Sequence, residues 1–181
     1  VFFMFLYIFI PTFFTYDKSD IQTLLCKDQG IKCKIRGKVN YSFYPTPRIK
    51  IKDFEVSSNL DKIKKLVVAE NAAIKISFKN LLAKEKHKFE SLNLNNFIVN
   101  INLENLKKYK SLFENNPNFI PVNFKEGQII FYNKKEYVAA VSKANISLRL
   151  VKNNIEAEVK GKFLNDDIFI NLNNDILKNN K

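Results

Sequence analysis

Residues Gly30–Ser58 read GIKCKIRGKVNYSFYPTPRIKIKDFEVSS, and this stretch decides how the rest of the chain can fold. From Ile31 to Phe43 apolar and polar residues alternate without interruption. A period of two places one apolar and one basic face on a single long β-strand. The segment Pro45-Thr46-Pro47 ends that strand, because proline has no N–H to donate and its φ is restricted. Alternation resumes at Arg48, so the stretch predicts an antiparallel hairpin with one apolar face.

The phase of the second strand changes at Asp53. Ile51 carries the apolar face before this residue, and Phe54 carries it afterwards. One extra residue that shifts the alternation indicates a β-bulge. A similar shift at Asn95-Asn96 predicts a bulged or broken strand further along the chain.

The same period of two recurs through most of the remaining sequence. Apolar residues alternate, with short polar turns between the segments, over residues 68–78, 92–101, 122–131, 137–150, 155–163 and 168–172. The chain is therefore predicted to be α+β and mostly β, an antiparallel meander or groove sheet with a few short helices. Those helices are too few to cover about eight one-sided strands. The sheet is expected to close on itself, to fold as a sandwich, or to keep an open apolar concavity.

Two helices are predicted. Ser19 is expected to cap the first, with Gln22 completing a capping box and Gly30 ending the helix. Its apolar stripe consists of Ile21, Leu24 and Leu25. The second helix is predicted over Leu103–Phe113, with Asn102 as its cap.

The length of 181 residues, 46% of them hydrophobic, suits one folded domain and excludes a disordered protein. The net charge of +12 is compatible with an anionic partner or with general over-use of Lys and Asn. A basic stripe on the first strand suits anionic lipid headgroups and consists of Lys32, Lys34, Arg36 and Lys38. A nucleic-acid-binding sheet needs aromatic residues on that same face. Tyr41 and Phe43 lie on the opposite face, so no nucleic-acid partner is predicted.

The two cysteines, Cys26 and Cys33, do not match the spacing of a metal site, and the lone His87 cannot complete one. Cys33 is interpreted as a small core residue, and a Cys26–Cys33 disulfide remains an alternative for an oxidising compartment. His87 is expected in the Lys-rich turn Lys86-His87-Lys88, which disfavours a Ser-His-Asp triad, and the four isolated glycines form no phosphate loop. We therefore predict neither an enzyme nor a bound cofactor or metal.

The chain begins with an uncharged apolar run, Val1–Phe14, of sequence VFFMFLYIFIPTFF. A membrane-spanning helix needs about 20 apolar residues, so this run fits an anchor that has lost its first residues. A cleaved signal peptide is disfavoured by the bulky residues of Thr12–Tyr16, and a buried core helix is the third alternative. The favoured prediction is a single amino-terminal membrane anchor.

The order of these features resembles the amino-terminal region of the AsmA family. In that family an apolar anchor and a short helix precede a Gly-x-Val strand and a Pro-rich turn. An alternating strand with Asp-hydrophobic-x-Val, a strand ending in Leu-Leu, and a glycine-led hairpin follow. The corresponding segments here are Gly37-Lys38-Val39, Pro45-Thr46-Pro47, Ile49–Val56, Ala69–Leu82 and Glu126–Tyr132. Asn133 stands where the family's hairpin usually has Asp.

The resemblance implies a protein anchored in the inner membrane of Gram-negative bacteria, with its bulk in the periplasm. Residues 1–15 would be a truncated transmembrane anchor, and residues 16–181 an AsmA-like β-rich domain that is incomplete at its C-terminus. The implied role is in outer-membrane biogenesis, with phospholipid bound or conducted along an apolar β-groove.

Candidate groove residues are Ile35, Val39, Tyr41, Phe43, Ile49 and Ile51, and candidate headgroup contacts are Lys32, Lys34, Arg36 and Lys38. The expected partners are phospholipid, the membrane and envelope proteins. The alternative function is an anchored β-sandwich that serves as a scaffold or assembly factor for outer-membrane proteins, without lipid transfer.

Overall fold

The computed structural model describes residues 17–26, 31–42, 46–58, 64–77, 89–109, 120–151 and 154–175. These residues form one nine-stranded sheet with a short helix against it. The elements are α1 (Lys18–Cys26), β1 (Ile31–Ile35), β2 (Val39–Ser42), β3 (Arg48–Ser58), β4 (Val67–Ile76), β5 (Phe89–Asn102), a 3₁₀ turn (Leu103–Asn105), β6 (Val122–Asn133), β7 (Glu136–Val151), β8 (Asn154–Phe163) and β9 (Asp166–Asp175). The prediction of a mostly β fold is confirmed.

The strand order is β1-β3-β4-β5-β6-β7-β8-β9, and β2 also pairs with β3. Every pair is antiparallel except β5–β6, which is parallel and begins with Leu92 opposite Val122. A parallel pair requires the chain to return to the starting end of β5 before β6 begins. The prediction of an antiparallel meander is therefore confirmed for the strand pairs before and after this connection, and it is wrong for β5–β6.

The long first strand predicted from the alternation is divided in the structure. β1 and β2 both run along β3, and residues 36–38 between them face only Lys52 and Asp53. The interruption keeps its hydrogen bonds, because Gly37 N donates to Lys52 O at 3.1 Å and Lys52 N donates to Lys38 O at 3.0 Å. Sequence periodicity missed the break because the apolar phase is the same on both sides of it.

The register aligns apolar residues of successive strands into two continuous rows on one face of the sheet. The first apolar row is Val39, Ile51, Ala72, Leu94, Phe124, Ile146, Val159 and Ile170. The second apolar row is Tyr41, Ile49, Ile74, Leu92, Val122, Leu148, Ala157 and Leu172. We call this side the apolar face and the opposite side the outer face.

A line of bulges crosses the sheet beside the first apolar row. One residue in each of four strands has positive φ at this level, namely Asp53 (52°), Asn96 (52°), Glu126 (58°) and Lys143 (47°). We call this line the bulge seam. Bulges add a residue, bend the strand and increase its twist. The predicted phase changes at Asp53 and Asn95-Asn96 coincide with this level, where Asp53 and Asn96 have positive φ and are missing from the ladder pairs. The register is the same on both sides of them, and β5 continues as one strand.

Gly127 shows how closely the strands approach at the bulge seam. A Cβ at this position would overlap the ring and the carbonyl oxygen of Phe97. Gly37 is similarly close to β3, since a Cβ there would lie 2.7 Å from the Lys52 Cβ. Glycine at these positions lets the bulged strands stay in contact.

The cap of the first helix lies two residues before the predicted one. Asp17 Oδ1 accepts hydrogen bonds from Asp20 N at 2.7 Å and from Ser19 Oγ at 2.9 Å. Asp17 is therefore the N-cap, and the predicted Ser19 cap is wrong because the aspartate reaches the third backbone N–H of the helix first. Ile21 and Leu25 are buried as predicted, whereas Leu24 is 36% exposed. Gln22 lies within the helix, and Gly30 lies outside the described residues.

The cap predicted for the second helix is confirmed, because Asn102 Oδ1 accepts from Glu104 N at 3.1 Å. The described helical residues continue to residue 109, and the predicted end at Phe113 lies outside the described residues. The predicted anchor at residues 1–15 also lies outside them. Within the described ranges, no helix combines the length and apolar character required to cross a membrane.

Candidate functional site

The apolar face changes from buried to exposed along each row. In the first apolar row the exposed fraction is 1% at Ile51, 2% at Leu94, 8% at Phe124 and 42% at Ile170. In the second it rises from 8% at Leu92 to 58% at Leu172. The strands thus present one continuous apolar surface that is covered at the β3–β5 side and open at the β9 side.

Helix α1 supplies part of the cover. Its residues Ile21, Leu25 and Cys26 are buried and belong to the same core cluster as Ile49, Ile51 and Phe54. A disulfide joins Cys26 of the helix to Cys33 of β1, with 5.9 Å between their Cα atoms. The sequence left two interpretations of Cys33 open, a small core residue or a disulfide with Cys26, and the structure contains the disulfide. The bond links α1 to β1.

A small apolar cavity lies between the helix and the sheet. Its volume is about 140 Å³. The lining combines α1 with strands from β1 to β7 and includes Leu25, Cys33, Phe54, Leu94, Phe124 and Leu148. Because this lining is almost entirely hydrocarbon, the cavity suits an apolar group and offers little to a polar ligand. It adjoins the start of the uncovered part of the apolar face.

The described candidate groove residues share the apolar face but differ in accessibility. Ile35, Ile49 and Ile51 are at most 5% exposed and form part of the core. Val39 and Tyr41, on the short strand β2, are half-buried. Phe43 lies outside the described residues. The structure therefore places the accessible part of the apolar face mainly on other strands.

The accessible apolar residues that the sequence analysis did not select lie on β7–β9. Ile146, Leu148, Val159 and Ile168 are half-buried, and Ile170 and Leu172 are exposed. Their alternation was visible in the sequence. Alternation shows only that residues share a face, so it could not show that this end of the face is less covered than the hairpin.

The candidate headgroup residues lie on the outer face or in the break between β1 and β2. Lys32, Lys34 and Lys38 are exposed. Arg36 is instead engaged with an acid, because its Nε lies 2.9 Å from Glu55 Oε1. Three of the four candidates are therefore exposed cations near α1, and the fourth belongs to an ion pair.

Glu55 is the buried acid of this region, with 10% of its side chain exposed. Lys65 Nζ also donates to Glu55 Oε1. Burial by itself raises the pKa of the Glu55 carboxyl, but the hydrogen bond and charge of Lys65, together with Arg36, lower the pKa below its ordinary value of 4.5. Glu55 is therefore ionised. Its two ion pairs link Arg36, in the break between β1 and β2, to Lys65, in the loop before β4.

The outer face has its own shallow depression of about 700 Å³ along the bulge seam. Glu70, Asn96, Glu126, Lys143 and Asn145 are among its lining residues. These polar groups bond to one another: Asn96 Nδ2 donates to Glu70 Oε2 at 2.8 Å, and Glu126 N donates to Asn145 Oδ1 at 3.3 Å. Hydrogen bonds within the chain therefore satisfy these groups of Glu70, Asn96, Glu126 and Asn145.

In the described part of the chain, no group of three or more His, Cys, Asp or Glu residues is placed to hold a metal ion. The lone His87 lies outside that part. Neither family models, nor curated proteins, nor solved structures include a match to this chain.

Proposed function

We propose that this chain is the membrane-proximal part of an envelope protein that binds phospholipid acyl chains on the apolar face of its sheet. The observation that supports this function best is the rise in exposure along the two apolar rows, from 1% at Ile51 to 58% at Leu172. A continuous strip of exposed apolar side chains is unfavourable in water unless something apolar covers it. Acyl chains of phospholipid provide such a cover.

The disulfide supports placement of the domain outside the cytoplasm. Structural disulfides persist in oxidising compartments such as the bacterial periplasm and are rare in the cytosol. The Cys26–Cys33 bond lies beside the apolar cavity and next to the exposed lysines of β1. An amino-terminal anchor in the inner membrane would bring these lysines near anionic headgroups and the cavity near acyl chains. The AsmA resemblance agrees with this arrangement.

The groove is favoured over the sandwich scaffold by the topology. In a sandwich, two sheets pack their apolar faces together at about 10 Å. The described residues form a single sheet, and no second sheet among them faces the apolar rows. The scaffold function would need another protein to occupy the same surface.

Strand β8 offers a test in which neighbouring residues act as controls. Ala157 and Val159 lie on the apolar face, whereas Glu158 and Lys160 lie on the outer face. A photo-crosslinking amino acid at Val159 should form phospholipid adducts in cells, detected by mass spectrometry of the purified chain. The same amino acid at Lys160, one residue away, should not.

Equal labelling at Val159 and Lys160 would show non-specific contact with lipid, and protein adducts without lipid at Val159 would favour the scaffold. Either result would contradict the proposed lipid-binding face. Phospholipid that co-purifies with the chain in the absence of detergent would support it independently.

A further inference from the structure

The two edges of the sheet differ in their protection against a further strand. The edge formed by β1 and β2 is broken at residues 36–38 and carries the exposed cations Lys32, Lys34 and Lys38. Lys18 Nζ of α1 also lies 3.5 Å from the Arg36 carbonyl oxygen at the break. Short strands, interruptions and lysines are the features by which natural sheets prevent edge-to-edge pairing.

The opposite edge, β9, lacks these features. It runs unbroken for 10 residues, DDIFINLNND, with no lysine, arginine, proline or glycine. In the described chain it pairs only with β8. Its side chains include Phe169 at 60% exposure, Ile170 at 42% and Leu172 at 58%. An edge strand that is long, unbroken and apolar at its centre is a template for another strand.

The β9 sequence is complementary to itself in one antiparallel register. If Ile170 of one chain lies opposite Ile170 of a second, Ile168 lies opposite Leu172 on the apolar face. On the outer face, Phe169 lies opposite Asn171 and Asp167 opposite Asn173. No two acids are directly opposed in this register, and every apolar residue of the apolar face meets another. A two-fold axis perpendicular to the sheet at Ile170 produces this pairing and keeps both apolar faces on the same side.

We infer that β9 is a homodimer interface, in which the β9 strands of two copies pair antiparallel about Ile170. The interface joins the two nine-stranded sheets into one and makes their apolar faces continuous. Closed two-fold symmetry is the commonest arrangement of homo-oligomers. A pair of identical edge strands has this symmetry, because each copy contributes the same surface to the interface. This inference depends on the edge and its register and not on the proposed lipid function.

A head-to-tail contact is the main alternative for a second copy. It would place β9, with acids at both ends, beside the basic β1–β2 edge of the next copy. Opposite charges favour that contact, but the interruption at residues 36–38 prevents a continuous ladder there. The two-fold pairing uses an unbroken strand on both sides. Each copy carries a net charge of +12, and the resulting repulsion is screened beyond about 8 Å at physiological ionic strength.

The two-fold register makes a charge-swap experiment possible. Two full-length copies with different affinity tags are co-expressed, and capture of one tag is followed by detection of the other at physiological salt. Ile170→Lys in both copies should abolish co-capture, because the two ammonium groups would face each other across the axis. Ile170→Glu in both should do the same. One Ile170→Lys copy with one Ile170→Glu copy should restore capture to the wild-type level.

Ile98 supplies the matched control. It is 41% exposed on β5, and it pairs with Val68 of β4 on one side and with Gln128 of β6 on the other. Ile98→Lys in both copies should leave co-capture unchanged. Wild-type copies that do not capture each other would overturn the inference and leave the β9 edge to another strand of the same protein or to a different partner. Co-capture that survives Ile170→Lys, or that the mixed pair fails to restore, would also overturn it.

Discussion

At the scale of single residues, Glu55 differs from the other acids of the sheet. It is nearly buried and accepts from both Arg36 and Lys65, whereas the ion pair Lys75–Glu90, at 2.9 Å, leaves both partners 40% exposed or more. Exposed pairs contribute about 0–1 kcal/mol, because water and salt screen them and their side chains lose conformational entropy. A buried acid with two cationic donors contributes more, and its loss leaves those donors without their acceptor.

We expect Glu55→Gln to lower the free energy of unfolding by about 1–3 kcal/mol. Glu90→Gln should change it by less than about 1 kcal/mol. Urea denaturation at neutral pH measures both variants. Equal effects would show that Glu55 is not a structural anchor.

The same carboxyl predicts a dependence of stability on pH. Its pKa in the folded chain lies below the ordinary value of 4.5. The stabilisation is therefore complete above the pKa of the unfolded chain and is lost as the pH falls from there through the folded-state pKa. The wild type should lose stability below about pH 4.5 more steeply than Glu55→Gln. Parallel pH profiles of the two proteins would contradict the assignment.

At the scale of elements, the bulge seam explains how one sheet can bend without losing its register. Neighbouring strands carry their extra residue at the same level, so each bulge is matched by an irregularity in the next strand. The backbone is strained at two of these positions, because Glu126 and Lys143 adopt the left-handed conformation, which favours glycine. For such residues this conformation costs about 1–2 kcal/mol.

Replacing Lys143 by glycine should therefore stabilise the chain by up to about 1 kcal/mol, since relief of the left-handed strain exceeds the entropic cost of glycine. Lys125 is a matched control, because it is also an exposed strand lysine near the seam but does not have positive φ. Lys125→Gly should destabilise by about 0.5–1 kcal/mol. Thermal unfolding compares the two, and the same sign for both would contradict the role of the seam.

Helix α1 is the second element whose position depends on a specific link. Its nine residues are too few for a stable isolated helix, so tertiary contacts must hold it. The link Cys26–Cys33 closes a short loop, with a sequence separation of 7. A closed loop of this length stabilises by roughly 2–3 kcal/mol, chiefly by restricting the unfolded chain.

The double variant Cys26→Ala/Cys33→Ala should lose about that amount of unfolding free energy. Denaturant titration with and without a thiol reductant provides the internal control. Reductant should lower the midpoint of the wild type and leave that of the double variant unchanged. A wild type insensitive to reductant would show that the bond does not hold the fold.

At the scale of the whole molecule, the main property is the uneven cover of one continuous apolar face. Leu92 and Leu172 belong to the second apolar row and share a face and a residue type, yet their exposures are 8% and 58%. They therefore report separately on the covered and the open ends of the same surface.

Leu92→Ala should cost about 2–5 kcal/mol, because it removes packed methyl groups and leaves a cavity. Leu172→Ala should change stability by less than about 0.5 kcal/mol. Chemical denaturation of the lipid-free chain measures both. A large loss for Leu172→Ala that does not depend on protein concentration would mean that the β9 end is covered within the chain, and this would also contradict the proposed lipid-binding face.

Local sequence was sufficient for most of the properties that are local. Side-chain alternation is a direct consequence of extended backbone. The residues of the apolar face could therefore be predicted from spacing such as that of Ile49 and Ile51. Phase shifts at Asp53 and Asn95-Asn96 predicted bulges for the same reason, and Asn102 was recognised as a cap by its residue type. The cap of α1 was missed because Asp17 and Ser19 compete for the same end of the helix.

Other features depend on contacts between residues far apart in the chain. The parallel β5–β6 pair follows from the return of the chain between Asn102 and Val122, and periodicity carries no information about that direction. Leu92 and Leu172 have the same pattern of neighbours in sequence, but only the strand order places one near the covered end and the other at an edge. The sequence alone therefore determines which residues form the apolar face. Which of them are buried and which are exposed depends on the tertiary structure, because burial is a property of the assembled sheet and helix.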